Sequence, residues 1–199
     1  MSTREPIARF GSLVATGLSD VSHDPRDLDE DGWWAVTQTF EGEFAAYRFT
    51  DVVESTTDFV DDFSVPRELW TSSMSQAEYE AGVATIRDDI ARGWVYQVNL
   101  CRVLTAALSV PINLEALYFA LRRHNPAPHA GYLHIPEHNI DIASASPELF
   151  LSRSGDQIKS SPIKGTAKQA SELLAKDSSE NIMIVDLVRN DLSHACIKG

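Results

Sequence analysis

Residues 148–164 read ELFLSRSGDQIKSSPIK, and the meaning of this stretch decides how the middle of the chain is built. Two short runs, 148–153 and 157–163, flank Ser154-Gly155-Asp156. A glycine next to an aspartate between such runs signals a β-hairpin, because glycine takes the positive φ that tight strand connections need. If Gly155 and Asp156 are the central turn residues, Glu148 faces Ile163, and Lys164 is the next residue along. A carboxylate and an amine sixteen apart in sequence thereby come to one end of two paired strands. The plain meaning is a surface cross-strand ion pair that contributes little. The other is a pair of groups that work together.

Upstream of the hairpin, strands are predicted near 131–135 and 140–144. A helix over 113–124 precedes them and must end before Asn125-Pro126-Ala127-Pro128, since proline cannot continue it. An earlier helix opens on a capping box, Ser75 with Glu78, and stops at Gly93. Tyr79, Val83, Ile86 and Ile90 recur along it at helical spacing. Residues 94–104 alternate as a strand would, with Val95, Gln97, Asn99 and Cys101 on one face. Two amides on such a face must be bonded to something if buried, and an internal pair is the simpler answer than a ligand. Residues 1–72 form a β-rich first segment, with short strands at 33–36 and 44–49 and weak alternation over 52–63.

Downstream, residues 178–194 predict a helix with apolar side chains on nearly every side, Ile182, Ile184, Val185, Leu187 and Val188 among them. Such a helix belongs inside a larger body. Glu180, Ile184, Leu187 and Asp191 line one of its stripes. Asp186 and Arg189, three apart, can neutralise each other. Glu180 falls in the first turn, where the helix dipole favours an acid, and an acid on a buried stripe is a candidate metal ligand.

Hydrophobic residues make up 43% of the 199, enough to fold. The net charge of -12 argues against a nucleic-acid partner, because phosphates attract basic surfaces. Much of the acidity lies in residues 20–62 and reads as a solvated face. Cys101 and Cys196 stand far apart without a ligand set, so neither a disulfide scaffold nor a zinc site is indicated. With no long apolar run, no membrane partner and a cytoplasmic location are expected.

Several segments together resemble one family, the chorismate-binding enzymes. They are Tyr96-Gln97-Val98-Asn99-Leu100, then Leu117-Tyr118 through Arg122-Arg123 to Pro128, and Ser146-Pro147-Glu148. Pro162-Ile163-Lys164-Gly165-Thr166 and the helix from Glu180 to Leu192 complete the set. The likeness covers roughly residues 75–199 in the family's order. It implies an α+β fold of two antiparallel sheets with outer helices, present here incompletely: an N-terminal β-rich segment, 1–72, and the first part of the chorismate-binding domain, 73–199.

Two positions resemble the branch that aminates chorismate. Members that add water carry a lysine where Gln97 stands, and glutamine has no usable basicity. Anthranilate synthases usually carry alanine at Lys164, whereas a lysine is similar to component I of aminodeoxychorismate synthase. The resemblance therefore implies formation of 4-amino-4-deoxychorismate for p-aminobenzoate and folate, with ammonia from a glutamine amidotransferase subunit. The alternatives are anthranilate synthase component I and a non-catalytic module that docks to the amidotransferase. On this resemblance Lys164 is the nucleophile and Glu148 the general acid. Gly165, Thr166, Gln97 and Asn99 contact chorismate, and Glu180 binds Mg²⁺.

Departures exist. Ala167-Lys168 follow Thr166 where arginine is usual, the connection from Thr166 to Glu180 is short, and Ser193-His194 replaces Gly-Arg. The resemblance stops at Gly199, before the family's second metal-binding glutamate and its downstream histidine, arginine and tyrosine. The chain by itself is therefore expected not to complete the reaction.

Overall fold

A computed structural model describes residues 4–55, 63–109, 112–163 and 175–197, without the side chains of 175–178. Lys164, Gly165 and Thr166 lie outside the described residues. The chain runs β1 (Ile7–Phe10), β2 (Leu13–Ser22), β3 (Trp33–Gln38), β4 (Phe44–Glu54), β5 (Trp70–Ser72), α1 (Gln76–Ala91), β6 (Leu104–Ala106) and α2 (Leu114–His124). It continues through β7 (His129–Ile135), β8 (Ile140–Ser146), β9 (Leu149–Ser154), β10 (Gln157–Ser161) and α3 (Ala175–Leu192). The class is α+β, and the strand pairings are antiparallel.

Two compact units divide the chain, Met1–Asp61 with Leu114–Gly199 and, separately, Asp62–Asn113. The division groups residues in space, while the boundary expected at 72/73 follows chain order. In the first unit a six-stranded sheet runs in the order β3-β4-β2-β1-β7-β8. Strands β1 and β2 had no strong local signal; β1 pairs on one side with β2, Ala8 facing Ala15, and on the other with β7, Ala8 facing Leu133 and Arg9 facing Tyr132.

Alternation along the strands sends two apolar sets to opposite faces. Ala8, Ala15, Ala35, Tyr47, Phe49, Leu133 and Ile135 form one core. Ala35 of β3 and Ile135 of β7 stand four strands apart in the sheet order yet share that core, so the sheet curls. A bulge in β2, where Ser19 is the extra residue between Leu18 and Asp20, adds to the curvature. On the other face α2 lays Tyr118 and Phe119 against Ala130 and Tyr132. Arg9 anchors the helix from below, donating to Glu115 Oε1 at 2.8 Å, with its guanidinium 5.4 Å from the Phe119 ring.

Tyr132 gives this face a pH signature. The residue is 1% exposed, and burial, then the Asp141 carboxylate that accepts its hydroxyl, pushes the phenol well above its ordinary value. The folded protein keeps this proton at a pH where the unfolded chain has lost it. Stability present below about pH 10 is therefore lost as pH rises further, by at most about 1.4 kcal/mol per pH unit. Denaturant melts at pH 9 and pH 11 should show a larger loss for the unaltered protein than for Tyr132→Phe. Equal losses would exclude this assignment.

The second unit holds α1 and the β5–β6 ribbon. The capping box forms as expected: Glu78 N–H donates to Ser75 Oγ at 3.3 Å and Ser75 N–H to Glu78 Oε2 at 2.7 Å. That second bond, first, and the Ser75 hydroxyl hold the Glu78 carboxyl below its usual range. At the other end Gly93, at φ 75, closes the helix, with Gly93 N–H on Ile90 O and Trp94 N–H on Asp89 O at 3.0 Å. The strand expected over 94–104 is corrected: only Leu104–Ala106 is a strand, paired with Trp70–Ser72. Alternation assigns side chains to faces, but a strand exists only where a neighbour takes its amides. None of the described residues in 63–109 is buried, and Trp94 and Tyr96 are 76% and 63% exposed.

Among the described residues no helix is long and apolar enough to cross a membrane, which says nothing of strands.

Candidate active site

The predicted hairpin forms. Gly155, at φ 57, occupies the first central turn position, and Ser154, Arg153 and Ser152 face Gln157, Ile158 and Lys159 in the expected register. The register then shifts, because Leu149 pairs Ser161 and both Phe150 and Leu151 stand opposite Ser160. This bulge in β9 corrects the expected pairing of Glu148 with Ile163 by one residue: one extra residue on one strand advances everything beyond it. The Glu148 side chain still crosses the gap. Its Oε1 accepts the Ile163 backbone N–H at 3.2 Å, so the acid reaches the residue directly before Lys164.

A cavity of about 580 Å³ opens beside this contact. Ser146, Glu148 and Leu149 border it on the hairpin side, and Ile184, Val188 and Asp191 on the helix side. The spacing four and then three puts those α3 residues on one stripe. Of the predicted stripe, Ile184 and Asp191 reach the cavity, while Glu180 and Leu187 are not among the described lining. Asp191 is thus a cavity carboxylate that was legible as a stripe member but not as a site residue. Its signal was the pattern of Ile184 and Val188 preceding it.

Helix α3 starts at Ala175 and ends at Leu192, not at 178 and 194. Glu180 therefore sits in the second turn, beyond the reach of the terminal dipole that was expected to favour it. The pairing of Arg189 with Asp186 does form, at 2.9 Å, on a largely exposed surface where it contributes little. The helix is not covered on all sides among the described residues: Ile182 is 68% exposed, Val185 45% and Leu187 48%.

Gln97 and Asn99 belong to the second unit. Gln97 is half-buried and Asn99 exposed. The Cys101 thiol lies 3.7 Å from the Asn99 carbonyl oxygen. As for Mg²⁺, no group of three or more His, Cys, Asp or Glu among the described residues is arranged to hold a metal ion. Glu180 alone falls short of the several oxygens that the ion needs.

Residues 29–199 match the family of the chorismate binding enzyme. The chain is 42% identical over 140 residues to an aminodeoxychorismate synthase of Streptomyces pristinaespiralis, covering 63% of this chain and 19% of that one. It is 32% identical over 151 residues to aminodeoxychorismate synthase component 1 of Escherichia coli (strain K12), covering 70% and 32%. With an anthranilate synthase component 1 of Haloarcula marismortui it shares 37% over 134 residues, covering 61% and 26%. The chain thus spans less than a third of the length of these relatives.

Proposed function

The chain belongs to the chorismate-binding enzyme family, and from that premise we propose that it serves component I of an aminodeoxychorismate synthase, aminating chorismate in the cytoplasm on the route to p-aminobenzoate and folate. The observation that carries the reading is the Glu148 carboxyl bonded to the Ile163 amide, one residue before Lys164. An acid to protonate the departing C4 oxygen and an amine to attack C2 are the two functions that displacement across the conjugated ring needs.

In the proposed reaction the Lys164 amine attacks C2 of chorismate. The electron pair shifts through the ring and the C4–O bond breaks, with Glu148 giving its proton to the departing oxygen, which leaves as water. Ammonia then attacks C4, the C2–N bond to lysine breaks with its electron pair returning to the amine, and the surplus proton on the new nitrogen goes back to Glu148. Gly165, Thr166, Gln97 and Asn99 are proposed to contact the substrate. Ammonia is proposed to come from a glutamine amidotransferase subunit. Glu180 is the one Mg²⁺ ligand proposed, and no step is routed through the ion.

Anthranilate synthase component I is the second reading, favoured by relatives of that name. Intact-mass spectrometry with chorismate, in the absence of ammonia, separates the two. A chorismate adduct less one water on Lys164 supports the first reading. Anthranilate production with ammonia and no adduct supports the second. A protein that binds no chorismate, but does bind an amidotransferase, would be a docking module.

A further inference from the structure

We propose that Ser146 is a positioning residue for the Glu148 carboxyl, an inference that rests on the reading of Glu148 as the acid of this site. Ser146 is the last residue of β8 and borders the cavity. Its hydroxyl holds the Glu148 backbone on both sides: the Glu148 N–H donates to Ser146 Oγ at 3.4 Å, and Oγ donates to the Glu148 carbonyl oxygen at 3.1 Å. Pro147, between them, contributes a fixed φ. A serine, a proline and a two-way hydroxyl clamp leave the Glu148 backbone little freedom, so its side chain departs in one direction.

That direction has a chemical consequence. Glu148 Oε1 accepts the Ile163 amide. A neutral carboxyl group carries a single O–H and keeps acceptor capacity on its other oxygen. With Oε1 engaged by a donor, the transferable proton is carried by Oε2. The hydroxyl of Ser146 thus bears, through the Glu148 backbone, on which oxygen of the acid faces the leaving group. The bulge in β9 moves Glu148 one place off the register that would have paired it with Ile163 directly, so the link to that amide runs through the Glu148 side chain.

The test reads the Ile163 amide in ¹⁵N-labelled protein. In the unaltered chain its chemical shift should follow pH, tracking the charge of the carboxyl group to which it is bonded. Glu148→Gln should abolish this response. Ser146→Ala should abolish it too, while Ser146→Thr, which keeps the hydroxyl, should retain it. Should Ser146→Ala fail to give a dispersed spectrum, Ser146→Val, the shape of threonine without its hydroxyl, replaces it, with the same loss expected. A purely structural serine predicts a lowered melting temperature with the Ile163 response intact, and that result overturns the proposal. Loss of the response in folded Ser146→Thr overturns it as well. Failure to bind chorismate would instead sink the functional reading, and the amide response decides on Ser146 independently of it.

Discussion

In a preparation that aminates chorismate, Lys164→Ala is expected to lower turnover by about three orders of magnitude or more, because it removes the proposed nucleophile. A nucleophilic role predicts that this loss far exceeds any change in folding stability, which a urea midpoint measured on the same variant checks. Lys164→Arg makes the test sharper. A guanidinium keeps the positive charge but cannot be deprotonated, so a nucleophilic role predicts that arginine does not rescue. If arginine restores turnover, position 164 serves as a charge for a chorismate carboxylate. Full turnover by the alanine variant at physiological ammonia would remove the lysine from the chemistry altogether. Chorismate affinity should be measured beside turnover, since a binding role moves KM and a nucleophile moves kcat.

Tyr118→Ala is expected to destabilise the first unit by about 3–5 kcal/mol, the range for deleting a large aromatic from a core. Tyr118 is fully buried. Its ring lies 5.2 Å from that of Phe119 and 6.0 Å from that of Tyr132, and the Arg122 guanidinium sits 5.5 Å over it while donating to its hydroxyl at 3.3 Å. Removing the ring takes away a large part of the contact by which α2 packs on β7, leaving Phe119. Against a typical domain stability of about 5–15 kcal/mol, that loss is a large share. Tyr118→Phe keeps the ring and should cost about 1 kcal/mol, the net worth of one hydrogen bond. Urea midpoints of the two variants decide: equal midpoints would mean that the hydroxyl, not the packing, holds the helix.

Local signals carried a good part of this structure. The Ser75–Glu78 box, the Gly93 stop and the prolines after His124 each satisfy or forbid specific backbone bonds, so helix ends could be read from a few residues. The Ser154-Gly155-Asp156 turn was legible for the same reason. Strands β1 and β2 were not: Ile7–Phe10 carries only four residues, and besides its hairpin partner β2 it pairs with β7, more than a hundred residues on. The strand read into 94–104 failed in the opposite way: its alternation was real, but only three residues of β6 find partners on β5.

By itself, then, the order of residues determined the family, the α+β class and the hairpin, since each depends on side-chain type and spacing along a few neighbouring residues. Tertiary structure alone decided the bulge that shifts Glu148 and sends its carboxyl to the Ile163 amide, and the turn of α3 that brings Asp191 to the cavity. A bulge is a compromise between two strands and a helix face is chosen by what packs against it, and neither quantity is written in one segment.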